Sequence, residues 1–425
     1  MSVTPSSPPA TPEALRPVSA TERVALLDVL RGVALYGVLL ANTIPWYSGR
    51  QFLPSTETAA RPGSIDGIAL LLVRIFVDGK SLTLLSFLFG LGFAVQLMRA
   101  EGRAQDGVPV YLRRLAILMV IGLCHVIFLW WGDIVMSYAV TGFGLILFRR
   151  RTDRALLLWA AALLLVPRLL VTVPAVSELL DRIIPHQRHD DNVFKAQILA
   201  ALTGNDRVHL MRMQVRQHLA HVAPIAVWYF PWTLGRFLLG YFVGRRRLLH
   251  DAAAHLPLFR KLLAWGAGLG LALNIAISVA RFVRGPRGTL PFGLKLALVV
   301  SDEIGTLAMA AAYLSALTLL MQRPAWHRCL RIVAPVGQMA LTNYLSQSLI
   351  CTFLFYGWGL GLIGHVGPAL CIPLTLAIFA AQILVSRWWL ERFRFGPLEW
   401  LWRSLTYGRA QPMRRAEPAA HGVAL

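Results

Sequence analysis

Charge is scarce in this chain, and negative charge is scarcer still. Charged residues occupy 15% of its 425 positions, against roughly 25% in ordinary soluble domains. Only 21 are Asp or Glu against 42 Lys or Arg, a net charge of +21. With 56% hydrophobic residues and a mean hydropathy of +0.58, a soluble enzyme is excluded. Nucleic-acid binders of this charge gather their basic residues on a polar surface. Here the arginines fall in short runs between long apolar stretches, so no nucleic-acid partner is expected. Cysteine is rare too: Cys124, Cys329, Cys351 and Cys371 form no CxxC, which implies neither a disulfide framework nor a zinc ribbon. No P-loop, GxSxG or GxGxxG phosphate cradle occurs, which argues against an ATP-driven pump. No HExxH occurs either, and His186, His189, His209, His218 and His221 are not expected to hold a metal. A fixed-period repeat and the two-fold symmetry of transporters are also missing.

What is present is a succession of apolar runs near the 20 residues needed to cross a bilayer. They fall near 24–44, 80–98, 114–131, 134–148, 155–174, 223–243, 262–281, 294–320, 333–356 and 368–387. The expected fold is an all-α integral membrane bundle of about ten transmembrane helices. The stretch 65–78 is too short to cross and reads as interfacial or re-entrant. Lys and Arg concentrate in 1–23, 99–113, 149–154, 244–261, 321–332 and 388–425, which puts both termini in the cytoplasm. Trp46, Trp130, Trp131, Trp228, Trp232, Trp358, Trp388 and Trp389 fall near span ends, where interfacial indoles belong.

Residues 1–23, rich in Pro, Ser, Thr and Ala, read as a disordered cytoplasmic tail and not as a signal peptide, so the first span serves as an uncleaved anchor. The polytopic domain covers 24–407, and 408–425 reads as a second disordered tail. The external segment near 175–222 ends in a helical pattern, apolar at Val208, Met211, Val215, Leu219 and Val222, that should lie over the bundle. Gly266 with Gly270, and Gly357 with Gly361, have the spacing of close helix packing.

Polar residues inside apolar runs are costly and mark function. Asp28 and Arg31 share a helix face near the cytoplasmic end, and Asn42 lies near the outer end of the same helix. His125, deep in a span, is a candidate base, nucleophile or proton relay. Asp133 is eight residues on, about 12 Å along a continuous helix, so it is expected to cap the next helix. Tyr138 could line the same cavity. Arg236, the adjacent Asp302 and Glu303, and the same-face pair Asn343 and Gln347 complete the set; Asp302 and Glu303 are read as helix caps or partners of Arg236.

Several segments together resemble the YeiB-like family of bacterial membrane proteins: LDVLRGVALYGVLLANT, GKSLTLLSFLFGLGFAVQL, RRLAILMVIGLCHVIFLWWGDIVMSYAVTG, GRFLLGYFVGR, VGQMALTNYLSQSLICTFLFYG and RFRFGPLEWLWRSLTYG. The GPLEWLWR run is the most specific. The first span is also similar to two groups of transmembrane acyltransferases. Integral-membrane sugar O-acyltransferases begin with Asp-x-x-Arg-Gly, matched at Asp28, Arg31 and Gly32, and place a His where this chain has Asn42. The lysosomal heparan glucosaminide N-acetyltransferase group tends to have Asn there and draws a His from the following loop; residues 45–64 contain none. Neither histidine carries over.

The resemblance implies a multi-pass protein of the bacterial inner membrane that moves an acyl group from cytoplasmic acyl-CoA to an envelope glycan or small metabolite. His125 would be the base or relay with Asp133 in the catalytic group, and Asn42 would be the oxyanion donor or acceptor contact. Asp28, Arg31, Tyr138, Arg236, Asn343 and Gln347 would bind substrate, with Arg31 and Arg236 on the CoA phosphates. Acyl-CoA enters as a co-substrate and no tightly bound cofactor is expected. The partners are the lipid bilayer and the acceptor; a homo-oligomer is compatible with the pattern. The alternatives are a small-molecule transporter, with His125, Asp133, Asn343 and Gln347 along its path, and a non-catalytic membrane partner.

Overall fold

The computed structural model describes residues 25–54, 63–102, 106–183, 192–284 and 291–415. His186, His189 and the ends expected to be tails lie partly or wholly outside the described residues. Among these the chain is helical throughout, with no strand; extended backbone pairs only where Phe393 meets Arg414.

The first helix, α1 (Ala25–Asn42), runs into a π turn (Thr43–Tyr47). Next come α2 (Ile65–Phe76) and α3 (Lys80–Glu101), then a hairpin of α4 (Val108–Phe128) and α5 (Val135–Leu145). They are followed by α6 (Asp153–Leu170), α7 (Pro174–Ile183), α8 (Asn192–Thr203) and the long α9 (Arg207–Arg245). Beyond these lie α10 (Leu256–Arg284), α11 (Phe292–Met321), α12 (Pro324–Leu330), α13 (Ala334–Gln338), α14 (Ala340–Phe355), α15 (Pro368–Arg392) and α16 (Pro397–Tyr407).

Every apolar run meets a helix, but not every helix is a full span. Among the described residues six helices are long and apolar enough to cross a bilayer, or up to eight if two bent pairs each count as one. The run 134–148 yields only the 11-residue α5 and a 3₁₀ turn, and 333–356 is broken at Met339 into α13 and α14. Residues 65–78 form α2, which turns at Gly79 (φ +78°) into α3. Proline explains one bend: α9 turns by 70° between Arg207–Val222 and Pro224–Arg245, because Pro224 removes an amide donor from the helical ladder.

Buried almost all round, α1 is the central helix, as expected of a helix apolar on every side. It packs on α13, where a Cβ on Gly337 would stand 1.8 Å from the Asp28 carbonyl oxygen. The crossing of α3 with α9 is equally tight: a Cβ on Gly90 would meet the Phe237 carbonyl at 1.8 Å, and one on Gly240 the Phe87 carbonyl at 1.8 Å. Small residues let backbones come this close. Gly266 and Gly270 do the same for α10 on α11, whereas Gly361 (φ +66°) faces open space and serves a turn.

The basic runs meet at one end of the bundle, the basic end, where Arg245 donates to the Arg151 carbonyl at 2.7 Å and Asp153 pairs with both Arg245 and Arg246. At the opposite, far end the structure departs from the expected interfacial tryptophans. Trp130 and Trp131 are buried (1% and 2% exposed), because α5 is too short to bring the 129–134 turn to the surface. The first half of α9 covers that turn with a different face from the one expected: Val208 and Leu219 are exposed and Met211, Val215 and Val222 half-buried, while Leu210, Met213, Gln214, Gln217 and His218 are buried. The C-terminal end departs as well. Residues 408–415, expected to be disordered, fold back on the end of α15: Arg394 N–H donates to the Met413 carbonyl and the Trp400 indole to the Gln411 carbonyl.

Candidate functional site

The main surprise of the site is a dyad that helix geometry argued against. Because α4 stops at Phe128 and the chain reverses through 129–134, Asp133 folds back onto the preceding helix. Its Oδ1 lies 2.8 Å from His125 Nδ1, with both side chains fully buried. The expectation that eight residues would separate them assumed one continuous helix. Asp133 also caps α5 as expected, since its Oδ2 accepts from the Met136 N–H at 2.5 Å. A carboxylate accepts only, so Nδ1 carries a proton, and in the neutral ring Nε2 holds the lone pair. That Nε2 has no hydrogen-bond partner. This is the arrangement of an oriented general base.

Towards the basic end, the dyad adjoins a partly open cavity of about 250 Å³. Ile134 and Val135, next to Asp133 in the chain, form its inner wall with Tyr138 and Tyr344. Tyr344 links the two regions: its ring centroid is 5.4 Å from that of His125, and its hydroxyl accepts from the Ile134 N–H at 3.3 Å. The Tyr138 hydroxyl is 2.7 Å from Ser86 Oγ. Leu35, Leu88, Phe89 and Leu118 make the middle apolar, while Arg31, Gln96, Arg114 and Arg403 line the basic end. Arg114 donates to Gln96 Oε1 at 3.2 Å and stacks over Trp402, 4.2 Å from its ring centre.

Glu399, within the GPLEWLWR run, was not singled out in the sequence, yet it closes the cavity floor. Its Oε1 accepts from the Leu341 and Thr342 N–H groups at 2.6 and 3.0 Å, and its Oε2 from the Thr342 hydroxyl at 2.6 Å. It thus caps the start of α14 from another helix, with negative charge where a helix N-terminus favours it. Burial raises its carboxyl above the usual range, against the hydrogen bonds from Thr342 that lower it. The glutamate of a capping box sits three residues from its cap; this one is 58 residues away, so no local spacing could have revealed it.

The other candidates separate. Asp28 holds Arg31 at 3.0 Å, and only Arg31 reaches the cavity wall. Asn42 ends α1 towards the far end and makes no hydrogen bond to His125. Asn343 donates to Ser386 Oγ at 2.9 Å and Gln347 to Gln382 Oε1 at 2.9 Å, so both join α14 to α15 and stand off the cavity wall. Arg236 (1% exposed) pairs with Glu303 at 3.1 Å, the partnership the sequence allowed. Arg168, not anticipated, grips both Glu303 (2.7 Å) and Asp302 (3.1 Å), and Arg281 adds a contact to Asp302. With the Trp232 indole on Glu303, this network ties α6, α9, α10 and α11 together within the apolar bundle.

Comparison with known proteins bears on this arrangement. The family described as "Protein of unknown function (DUF418)" matches residues 243–409, which include the α14–α16 floor but not the dyad. Uncharacterized protein YxaH of Bacillus subtilis (strain 168) is 32% identical over 414 residues, covering 94% of this chain and 98% of the relative. Uncharacterized protein YeiB of Escherichia coli (strain K12) is 28% identical over 413 residues, covering 92% and 98%. An uncharacterized 39.9 kDa protein from the amylase 3′ region of Bacillus acidopullulyticus is 26% identical over 399 residues, covering 93% and 97%.

Proposed function

The chain belongs to the YeiB-like DUF418 family, and from that footing we propose that it is a multi-pass acyltransferase of the bacterial inner membrane, with its basic end and both termini in the cytoplasm and ten membrane segments counting the short and broken ones. It takes the acyl group from acyl-CoA on the cytoplasmic side and passes it to an acceptor hydroxyl of an envelope glycan or small metabolite.

One observation carries this reading: a cavity with an arginine-lined basic end and an apolar middle leads to the wall behind which His125, oriented by Asp133, keeps a free Nε2. The three zones suit the three parts of the donor. Arg31, Arg114 and Arg403 suit its phosphates, the apolar middle suits the pantetheine arm and acyl chain, and the Tyr138–Tyr344 wall suits the thioester.

In the reaction the acceptor oxygen attacks the thioester carbonyl. A C–O bond forms and the C–S bond breaks. His125 Nε2 takes the hydroxyl proton and returns it to the departing thiolate, so the products are an ester and free CoA. Asp133 holds the imidazole in the required tautomer and stabilises its protonated form. Tyr344 is placed to donate to the tetrahedral oxyanion, a role earlier given to Asn42.

Calorimetry of acetyl-CoA and longer acyl-CoA against the purified protein in detergent tests the donor site. Saturable binding, lost in Arg31→Ala or Arg114→Ala, is expected. His125→Gln should then bind the donor normally and lose about 10²- to 10⁴-fold in transfer. If no CoA thioester binds at millimolar concentration, the acyltransferase reading is wrong, and proteoliposome flux becomes the experiment that decides for a carrier.

A further inference from the structure

Glycine inside a membrane helix usually lets a neighbouring backbone approach, and Gly90 of α3 does so against Phe237. Gly92, two residues on, does not: a Cβ built there meets no heavy atom within 4 Å. Nor does it sit at a turn, because α3 runs unbroken to Glu101. Glycine is the poorest helix former after proline. Neither packing nor backbone conformation accounts for it here.

What lies over Gly92 is the cavity. Leu85, Leu88, Phe89, Gly92 and Gln96 follow one another at helical spacing along the face of α3 that forms one cavity wall. From Leu85 to Gln96 this face rises about 16 Å. Gln96, one turn beyond Gly92, holds Arg114 at the basic end, while Leu88 and Phe89, one turn before it, belong to the apolar middle. Gly92 is half-buried and marks the junction of the two zones. Any side chain there would project into the space that joins them. Charge at the basic end is one-sided. Asp28 neutralises Arg31, and Glu399 is occupied by the start of α14. Arg114 has neutral partners, Gln96 and the Trp402 ring, and no carboxylate partner among the described residues.

We propose that Gly92 is a specificity-determining residue of this cavity: its missing side chain opens the junction through which a ligand with a phosphate head at the arginines passes an uncharged chain towards Tyr138 and Tyr344. Guanidinium groups bind phosphate oxygens in forked pairs. The apolar middle suits a chain without charge, since a buried charge needs a partner. A side chain at position 92 would leave the head its arginines and bar the chain. Two sources supply such a ligand: acyl-CoA, whose pantetheine arm is the chain, and a phosphate-headed alkyl chain of a membrane lipid. The proposal deepens the acyltransferase reading and rests on it only for the choice of acyl-CoA over the lipid.

The test is calorimetry on the full-length protein in detergent with acetyl-CoA, hexyl phosphate and inorganic pyrophosphate, the last being a head without a chain. For Gly92→Leu the expected result is a loss of about tenfold or more in affinity for whichever chain-bearing probe binds the parent, with pyrophosphate affinity held within about twofold. Gly92→Ala should weaken the same probe less, and Arg114→Ala should weaken every probe that binds. Gly268→Leu is the control: this glycine of α10 also faces open space but does not line the cavity, so binding should match the parent. Because nothing packs on Gly92, Gly92→Ala and Gly92→Leu should melt no lower than the parent. Gly92→Ala, which adds one methyl to open space, serves if the leucine variant fails to fold. No saturable binding of either chain-bearing probe to the parent, an affinity unchanged in Gly92→Leu, an equal loss of pyrophosphate, or a lower Tm in Gly92→Ala would each overturn the proposal. Hexyl phosphate binding that depends on Gly92, with no CoA thioester bound, would sink the acyltransferase reading alone. Acetyl-CoA binding indifferent to Gly92→Leu would sink this one alone.

Discussion

Replacing Glu399 tests whether one carboxylate from α16 holds the start of α14 and the floor of the cavity. Glu399→Ala removes three hydrogen bonds at once and leaves the buried Leu341 N–H without its acceptor. Losing a cap costs about 1 kcal/mol, and stranding a buried donor adds about 1–3 kcal/mol, so the expected loss is about 2–4 kcal/mol. At roughly 2 °C per kcal/mol for a large chain, the Tm of the detergent-solubilised protein should fall by about 4–8 °C, read by circular dichroism. Glu399→Gln keeps one oxygen for the two N–H groups, and its amide can donate to Thr342 Oγ1, so only the charge-assisted part, about 1–2 kcal/mol, is lost. Because burial raises the folded carboxyl above the ordinary 4.5, the folded state holds its proton more tightly than the unfolded one. The stability from this effect is fully present below 4.5 and is lost as pH rises through the raised folded value. Glu399→Gln should flatten that dependence. A fall of under 2 °C in the alanine protein, or equal damage from both substitutions, would refute the capping role.

The remaining predictions concern the dyad, the ion network and the helix crossing. Asp133→Asn keeps an acceptor for the Met136 N–H but upsets the His125 tautomer, so transfer should fall about 10²- to 10⁴-fold in a single-turnover assay while donor affinity holds. Glu303→Gln leaves Arg236 buried beside a neutral amide and should cost about 3–5 kcal/mol in thermal unfolding. Arg236→Met combined with Glu303→Leu should recover most of it. Gly240→Val drives a side chain into the Phe87 carbonyl. It should abolish the monodisperse peak in size-exclusion chromatography, and a normal elution profile would show that α3 and α9 can move apart.

What the sequence revealed and what it hid follow from the range of the interactions. Apolar runs depend on each segment's own composition, so every run led to a helix, even where α5 proved short and the run 333–356 was broken at Met339 into α13 and α14. His125 and Arg236 stood out because polar atoms in apolar runs are conspicuous. Asp133 and Glu303 were among the candidates as well, but the contacts that bring them in were not legible. Asp133 reaches His125 only because the helix ends at Phe128, and Arg168 reaches Glu303 across 135 positions of chain. The face of α9 was read backwards because an apolar stripe was assigned to the protein interior. The inward face is mixed: Leu210 and Met213 join the apolar cluster around Trp130 and Trp131, while Gln214 and His218 bond the turn carbonyls.

That reversed helix also constrains how the protein can be built. Gln214 reaches the Leu129 carbonyl from 85 residues further along the chain, which at 5–20 residues per second is about 4–17 s of synthesis. Throughout that interval the α4–α5 hairpin sits in the membrane with its indoles and turn carbonyls uncovered. When the first half of α9 emerges, Gln214 and His218 reach the carbonyls of Leu129 and Trp131 that they bond. The α4–α5 turn is the template that receives them, so a ribosome pause between α5 and α9 prolongs the life of an uncapped intermediate.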